Sequence, residues 1–503
     1  MCNDNGWGHA CATEQQRKQV AHDLVHSAFN EIAPRIVDAV EQFIAQPISP
    51  LSFHRFELAM IALMRAFGAM VLQAVIQSLE PEDHLRLPRD LYHQCGGYRR
   101  RNKKTRNSHI ATMFGNITLW RTGYRSWQPG ETAIFPLERM LGLTEGVSPA
   151  LLSFMGRSIS SAGMSQDATK ALLREQCDVT IGIKRLRRCT EVFSDAMSEL
   201  RQSHQVDALL EALAQAAQSS GNRKPVLAVG RDGITLREYR HRFFEVATAA
   251  TVSVYDRAGK RLKTIYLAWP PELGQSTMDW MLTELLEELF SRLSGPLPRL
   301  AYVTDSGSNE IDYFNRVLRR MKHPTSGKRM HWLRVADFFH VSERVWAMAN
   351  ALFTKNQEQQ ATAWARRMLK KLKRPSGASR VLHSAASLYH RRKLGKTRKE
   401  DFWKAYRYIQ KRTGNLRYSQ YRSDHIPIGS GVTEAACKTI YTQRLKLSGM
   451  RWSFEGAKRI LALRTILLSR TWEATFESYL DRLKPRDMRP YKAGSNEHLQ
   501  NAA

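Results

Sequence analysis

The stretch VLAVGRDGITL, residues 226–236, precedes two further apolar stretches, EVATAATVSVY at 245–255 and RLKTIYLAW at 261–269. All three are rich in β-branched or aromatic residues and are separated by polar segments, as β-strands usually are. The short segment DRAGK, residues 256–260, is typical of a turn and joins the second stretch to the third as a hairpin. The sequence therefore predicts three consecutive antiparallel strands.

Helical and strand patterns alternate after these strands. The apolar spacing predicts a helix at 276–293, a strand at 299–307, a helix at 309–321 and a fifth strand at 331–339. The order β-β-β-α-β-α-β, with two crossover strands after three antiparallel ones, is the layout of the ribonuclease-H-like fold. We therefore expect an α/β protein: a ribonuclease-H-like catalytic core on a mixed five-stranded sheet, with a helical insertion and a mainly helical N-terminal region.

Three carboxylates fall at the ends of predicted elements. Asp232 ends the first strand in GRDGITL, Asp305 ends the fourth in VTDSGSN, and Glu434 opens a helix in GSGVTEA. Carboxylates on adjacent strands would lie about 5 Å apart and would repel each other without a cation between them. Each also has a structural interpretation, because aspartates suit turns and a glutamate suits a helix N-terminus. Three together at the expected elements of one fold favour a catalytic metal site.

The types of side chain indicate which metal such a site would bind. Hard carboxylate oxygens, without clustered His or Cys, favour Mg2+ over zinc, and Mn2+ may substitute. Two such ions, about 3.5–4 Å apart, would activate the attacking oxygen and stabilise the leaving oxygen of a phosphodiester. The six cysteines form no C-x-x-C pair, which argues against a zinc ribbon or a disulfide framework and fits a reducing cytoplasm.

The charge balance indicates the partner. The chain contains 77 Lys and Arg against 47 Asp and Glu, a formal net charge of +30, which calls for a polyanion such as nucleic acid or an anionic membrane surface. The most apolar stretch, 58–79, carries Arg65 and Gln73 at helical spacing, so it predicts a buried helix rather than a membrane span. The first residues lack the pattern of a signal peptide. Nucleic acid is therefore the expected partner, with no membrane.

The N-terminal half contains two candidate DNA-contacting segments. The run 96–107, GGYRRRNKKTRN, is either a solvated loop or, in so basic a protein, a phosphate-binding segment through Arg99, Arg100, Arg101, Lys103 and Lys104. The residues 148–192 predict several short helices, the last of them basic. These helices suit either a helix-turn-helix reader of DNA or plain helical packing.

The remaining patterns complete the predicted organisation. Helices are expected at 13–46 and 57–79, and a hairpin at 110–124 around the Gly-Asn pair 115–116. The predicted domains are a helical domain at 1–95, a basic loop and β-hairpin segment at 96–147, a helical and candidate DNA-binding domain at 148–220, the first part of the core at 225–339, a basic helical insertion at 340–418, the last part of the core at 419–482 and a disordered tail at 483–503.

The motifs GRDGITL, VTDSGSNE, ADFFHVSERVW and, above all, IPIGSGVTEAACKTIYTQRLKLSGMRW resemble those of the DDE transposases of bacterial insertion sequences. The group most similar is the ISKra/ISLre type, which is related to eukaryotic Mutator-like elements. The similarity covers most of the chain, since TMFGNITLWRTGY and FPLERMLGL resemble the N-terminal segment of that group. One departure is the absence of the cysteine pairs that relatives often carry after the TMFG segment.

The resemblance implies an Asp-Asp-Glu triad of Asp232, Asp305 and Glu434, with a helical insertion before the glutamate. It also implies a D-x-x-H pair, Asp337 and His340, at the end of the fifth strand, which we expect to support the metal ligands rather than bind metal directly. Four further residues are candidates for DNA contact: Arg444, Lys446, Arg451 and Trp452. The indole of Trp452 suits either stacking on an unpaired base or burial in the core.

The function implied is DNA transposition in a bacterial cytoplasm, at the nucleoid. Water would cleave a phosphodiester at each transposon end, and the freed 3′-hydroxyl would attack target DNA. The partners implied are double-stranded DNA, as terminal inverted repeats and target, and a second copy of the chain or a larger assembly on DNA. Two rivals remain: a ribonuclease-H-like nuclease without strand transfer, and a domesticated transposase that only binds DNA.

Overall fold

The computed structural model describes residues 14–80, 98–100, 103–126, 133–237 and 244–484. The chain forms two compact units. One contains Met1–Ile159, Met164–Ala196 and Phe476–Ala503, and the other contains Ser160–Gly163 and Met197–Thr475. The tail that the sequence predicts to be disordered lies, from residue 485 onward, outside the described residues.

The elements before the central sheet are α1 (Glu14–Ile44), α2 (Pro50–Ser78), β1 (Tyr98–Arg100), β2 (Thr105–Thr112), β3 (Gly115–Arg121), β4 (Tyr124–Ser126), α3 (Pro136–Met140), α4 (Pro149–Ser160), α5 (Gln166–Cys177) and α6 (Ile183–Gln218). The central sheet and its helices are β5 (Val226–Arg237), β6 (Phe244–Tyr255), β7 (Arg261–Trp269), α7 (Ser276–Arg292), β8 (Arg299–Thr304), α8 (Ser308–Tyr313), β9 (Trp332–Ala336), α9 (Phe338–Leu352), α10 (Glu358–Leu372), α11 (Gly377–His390), α12 (Lys396–Arg412), α13 (Tyr418–Ser423), α14 (Gly431–Cys437), α15 (Phe454–Leu468) and α16 (Trp472–Leu483).

The second unit is built on a five-stranded mixed sheet in the order β7-β6-β5-β8-β9. Strand β5 pairs antiparallel with β6, which pairs antiparallel with β7, whereas β5, β8 and β9 run parallel. The predicted order of strands and helices is therefore confirmed, as is the direction of every strand. The parallel pairs need crossover connections, and α7 and α8 supply them.

The sheet is covered on both faces, and β5 contributes to both because successive side chains of a strand point to opposite sides. Leu227 and Val229 pack into one apolar core with α7, and Val226 and Ala228 pack into another with α9 to α12. Asp232 has the parity of Val226 and Ala228. Its side chain therefore lies on the face covered by the helices that follow the sheet.

The predicted basic insertion, 340–418, is helical, as expected, and forms most of α9 together with α10, α11 and α12. It is not a separate appendage. Val341, Val345 and Met348 of α9 belong to the same buried cluster as Val303 and Val335 of the sheet. The insertion therefore provides one wall of the core.

The first unit contains the two predicted N-terminal helices, α1 and α2, and the predicted hairpin, formed by β2 and β3. The turn differs from the expectation. Thr112 pairs with Gly115, so the turn residues are Met113 and Phe114, and Asn116 lies within β3. Gly115, the first residue after the turn, adopts φ +104°, a conformation that residues with a Cβ avoid.

The prediction that 58–79 is a buried helix is wrong. Within α2 only Ser52 and Leu63 are buried, and Leu58 and Ile61 expose about half of their surface. Apolar side chains lie on more than one face of the helix, whereas the neighbours that it packs against, chiefly α1, cover only part of it. By length and composition, α2 is also the one helix among the described residues that could cross a membrane, a test that core helices and signal sequences pass too.

The helices of 148–192 are only partly as predicted. Helices α4 and α5 are short, as expected, but the third does not stop near residue 193. It continues to Gln218 as α6, a helix of 36 residues. The long helix is possible because Val206, Leu209 and Leu213 of its later part pack into the core beside α7.

Candidate active site

Three aspartates lie level with one another: Asp232 is two residues beyond the part of β5 that pairs with β8, and Asp305 and Asp337 directly follow β8 and β9. In the parallel register Gly230 is opposite Val303, and Thr304 is opposite Ala336. Continuing this register places Asp232, Asp305 and Asp337 side by side on β5, after β8 and after β9. Strands are spaced about 4.8 Å apart. Asp305 is therefore a direct neighbour of Asp232, and Asp337 is one strand further out, as the sequence predicts.

Asp232 lies within β5, where it pairs with Ala249 of β6, and it is half-buried. Its Oδ1 atom accepts a hydrogen bond of 2.8 Å from the backbone N–H of Gly233. Burial raises the pKa of the Asp232 carboxyl, and the nearby charges of Asp305 and Glu434 raise it further. Asp305 and Glu434 therefore both lie within electrostatic reach of Asp232.

The Asp305 loop is fixed by the helical insertion. Asp305 Oδ1 accepts a hydrogen bond of 2.9 Å from the N–H of Gly307, which closes the turn. Ser306 adopts φ +65°, an unfavourable conformation for a residue with a Cβ. Tyr408 Oη donates to the Asp305 carbonyl at 2.8 Å, and Arg412 Nη2 donates to the Ser306 carbonyl at 3.0 Å. Both side chains come from α12, so the insertion holds this loop in place.

Glu434 reaches the sheet because α14 packs closely on β5. A Cβ added at Gly230 would overlap the Oγ1 atom of Thr433, the residue before Glu434. The Thr433 hydroxyl also lies 2.7 Å from the hydroxyl of Thr251 on β6. Gly230 thus leaves the space that α14 occupies. The sequence GRDG places this glycine two residues before Asp232.

Asp337 caps α9 and ties it to the loop before α14. It is 1% exposed, and its Oδ1 atom accepts a hydrogen bond of 2.8 Å from the backbone N–H of His340. Its Oδ2 atom accepts hydrogen bonds from the backbone N–H of Ser430 and, at 2.8 Å, from the Ser430 hydroxyl. The same hydroxyl lies 2.6 Å from Glu434 Oε1. Ser430 therefore links Asp337 to Glu434.

Among the described residues, the group whose ligand atoms lie close enough together to share one metal ion is not the predicted triad, although it includes Glu434. One ligand atom each from Asp337, His340 and Glu434 lies within 4.8 Å of the others, and His340 Nε2 is 3.8 Å from Glu434 Oε1. Both oxygens of Asp337 are already hydrogen-bonded, which leaves this buried carboxylate fewer lone pairs for a cation. Glu434, with 45% of its side chain exposed, is common to both groups.

Sequence reasoning missed a further carboxylate, Glu310. It lies in the first turn of α8 and is buried, with its carboxylate beside Gly307 of the Asp305 loop. Burial raises the pKa of Glu310, and the charges of Asp305 and Asp232 raise it too, whereas Arg231 lowers it. The only signal in the sequence was its place in VTDSGSNE, where it suits a helix N-terminus equally well.

The carboxylates of Asp232, Asp305, Glu434 and Glu310 are called the acidic cluster below. Arg231 lies on the opposite face of β5 from Asp232. Its side chain is fully buried and pairs with Asp279 of α7, and its Nη2 atom donates to Gln275 Oε1 at 2.7 Å. Arg316 donates to the other oxygen of Asp279 at 2.8 Å. This buried ion pair anchors β5 next to Asp232, and sequence reasoning did not identify it.

The predicted DNA-contacting residues have mixed outcomes. Arg444 is fully buried and stacks 4.8 Å from the centre of the Trp452 ring, so this structure gives it no surface for phosphate contact. Trp452 is half-buried, and Lys446 and Arg451 are exposed. In the basic run, Lys103 and Lys104 are exposed, Arg101 lies outside the described residues, and Arg99 and Arg100 are described only as backbone in β1.

No model of a known protein family and no curated protein sequence matches this chain. The chemistry of the site therefore follows from its own side chains. Asp232, Asp305, Glu434 and Glu310 present carboxylate oxygens whose charges oppose one another. A divalent cation with a preference for oxygen ligands would relieve that repulsion, so the residues present fit Mg2+ or Mn2+.

The repulsion predicts that the metal-free protein is stabilised when one charge is removed. The pKa of Asp232 is raised on folding, so ionisation of this group opposes folding, and stability falls as pH rises above its ordinary value of 3.8. We expect Asp232→Asn to raise the thermal midpoint by a few degrees at pH 7 in excess chelator, and the gain to vanish near pH 3. Differential scanning fluorimetry at both pH values measures this, and an equal gain at both would contradict the explanation.

Proposed function

We propose that the protein is a metal-dependent enzyme that cleaves DNA strands and joins them to new sites, a transposase of the DDE type with a ribonuclease-H-like core. The observation that carries the proposal is that Asp232 and Asp305 lie level on neighbouring strands of a five-stranded mixed sheet, with Glu434 within electrostatic reach of Asp232. These residues lie far apart in the chain. The order of this sheet, with the first strand at its centre beside the fourth, supports the same fold.

Asp232, Asp305 and Glu434 would hold two Mg2+ ions, with Glu310 close by. When bound, the ions supply stabilisation of charge on the attacking and leaving oxygens of an in-line phosphodiester displacement. The protein's own groups hold the carboxylates in position. Gly233 and Gly307 donate backbone N–H groups to Asp232 and Asp305, and Ser430 contacts Glu434.

The net charge of +30 supports DNA as the substrate, because the phosphate backbone attracts a basic surface at long range. Lys446, on the segment after α14, is an exposed cation whose Nζ atom donates to the carbonyl of Thr235, three residues after Asp232 on β5. Strand joining needs two DNA ends at once, so the active assembly would contain two copies of the chain or more.

The test of this function is a strand-transfer assay. Full-length protein is incubated in Mg2+ with duplexes carrying the DNA that flanks its gene and with a supercoiled target plasmid. We expect cleaved ends and covalent end–target products, and neither with Asp232→Asn. Cleavage without joining would reduce the protein to a nuclease, and binding with neither product would contradict an enzymatic function.

The roles of Asp337 and Asp305 can be separated by matched substitutions. Asp337→Asn removes an acceptor for Ser430 but leaves the triad, so we expect a 10–100-fold loss of cleavage, as for groups that orient metal ligands. Asp305→Asn should leave no measurable turnover. Both variants are assayed across a manganese titration. Equal inactivity at every concentration would show that Asp337 is itself a ligand, in place of Asp305 or beside it.

A further inference from the structure

A cavity of about 260 Å³ opens at the far end of β5 and lies outside the acidic cluster. Its walls come from Thr235 and Leu236 of β5 and from the segment after α14. The lining residues include Lys446, Met450 and Trp452 of that segment and Phe454 at the start of α15. The lining is thus mainly apolar and aromatic, with one cation at its edge. Cavities that hold drug-sized ligands usually measure about 300–1,000 Å³, so this one suits a single flat ring system.

The indole of Trp452 is held in one orientation. Its Nε1–H donates to the carbonyl of Leu445 at 3.1 Å, and the buried Arg444 guanidinium lies 4.8 Å from the ring centre. Trp452 itself is only half-buried. A fixed, partly accessible aromatic ring is a pre-organised stacking surface, because little side-chain freedom is lost when a ligand packs on it.

The cavity lies a short distance along β5 from the acidic cluster. Thr235 and Leu236 follow Asp232 by three and four residues on the same strand, a separation of about 10–13 Å at 3.3 Å per residue. Lys446 lies at the mouth, where its Nζ atom donates to the Thr235 carbonyl at 3.3 Å. Nucleotides of a helical strand are spaced about 3.4 Å apart, so the cavity lies within about four nucleotides of a phosphate held at Asp232.

We propose that this cavity binds one unpaired nucleobase of the DNA strand within four nucleotides of the cut, stacked on Trp452, with Lys446 beside the adjoining phosphate. The proposal rests on the proposed function, since it takes the strand path from the acidic cluster. Because every base has a flat aromatic face, a site that stacks a base on an aromatic side chain would accept any of the four bases. The base must leave its duplex partner, which couples recognition to an opened DNA end.

The experiment is a scan of abasic sites against two protein variants. A set of duplexes is prepared in which each duplex carries a single abasic site, at one of the four positions on either side of the cut. Binding of each duplex is measured by fluorescence anisotropy in Ca2+. We expect Trp452→Ala to weaken binding of intact DNA by about 5- to 150-fold. With the abasic site at one position, wild type and Trp452→Ala should bind alike. Trp452→Phe should retain most of the affinity, and Trp280→Ala, at a tryptophan 61% exposed elsewhere in the same unit, should match wild type.

A second measurement uses the unaltered protein and so does not depend on the folding of a variant. 5-Iodouracil placed at each position is irradiated in the complex, and the cross-linked peptide is sequenced. Cross-links to 450–454 from one position would agree with the proposal. Failure to bind DNA, equal effects at all positions or cross-links elsewhere would overturn it. If the protein cleaves DNA but the effect of Trp452→Ala does not depend on the abasic position, the base site is excluded and the proposed function stands. If the effect depends on one position but no DNA is cleaved, the base site stands and the proposed function is contradicted.

Discussion

Asp232→Asn, Asp305→Asn and Glu434→Gln should each abolish DNA cleavage while leaving DNA affinity nearly unchanged. Each substitution keeps the size of the side chain and removes a negatively charged ligand for Mg2+. Metal ions contribute several kcal/mol of transition-state stabilisation, and each 1.36 kcal/mol is tenfold in rate, so a loss of about 10³-fold or more is expected. Cleavage of end duplexes in Mg2+ and in Mn2+ measures the rate, and anisotropy in Ca2+ measures affinity.

The control for this experiment is Glu343→Gln. Glu343 lies in the same region and contacts His340 at 3.5 Å, but its side chain is 65% exposed and it has no part in the proposed triad. It should cleave like wild type. Wild-type cleavage by any of the three triad variants would remove that residue from the site, and robust cleavage in excess chelator would exclude the metal mechanism altogether.

Gly230→Ala should impair both stability and cleavage, although it adds only one methyl group and removes no polar or charged side chain. The new Cβ would overlap Thr433 Oγ1, so α14 would have to move away from β5 and take Glu434 with it. Overpacking of this kind costs about 1–3 kcal/mol, and a displacement of about 1 Å at a catalytic group costs about 10²-fold in rate. Thermal unfolding and cleavage of end duplexes measure the two effects.

Two matched variants make this result specific. Gly431→Ala, at the start of the same helix, places its Cβ in open space and should behave like wild type. Gly230→Ala with Thr433→Ala removes the overlapping oxygen and leaves neighbours at 3.1 Å, so cleavage should recover in part, less the lost hydroxyl contact with Thr251. If the double variant is no better than Gly230→Ala, the close approach of α14 is not what positions Glu434.

Local patterns were sufficient to predict the sheet. The β-branched runs at 226–236, 245–255 and 261–269 and the helix between the third and fourth strands depend on neighbouring residues in the chain, and the structure has them in the predicted order and directions. The position of Asp305 followed for the same reason, because its turn signal is local, whereas the prediction that Asp232 ends its strand is wrong: β5 continues to Arg237 in antiparallel pairing with β6. The helical character of the insertion was also predictable from apolar spacing alone.

Contacts between distant residues decided the rest. The pairing of Asp337 with Ser430 joins residues 93 positions apart, and that of Arg231 with Asp279 joins residues 48 apart, so no short pattern could reveal either. Arg444 looked like a surface cation because its charge is visible in the sequence, whereas its burial against Trp452 is not. For α2 the error was the reverse: the helix was predicted to be buried because it is apolar, but much of it is exposed.

The sequence by itself determined the order and directions of the strands of the central sheet, and it identified Asp232, Asp305 and Glu434 as the candidate metal ligands. Only the tertiary structure decided how these carboxylates are held. The absence of a Cβ at Gly230 lets α14 pack close to β5, and Tyr408 and Arg412 of the insertion fix the Asp305 loop. Glu310 also lies near Asp305 and Asp232. The physical reason is that periodicity records which face of an element is apolar. It does not record which neighbour covers that face, how closely that neighbour approaches, or which buried charges meet there.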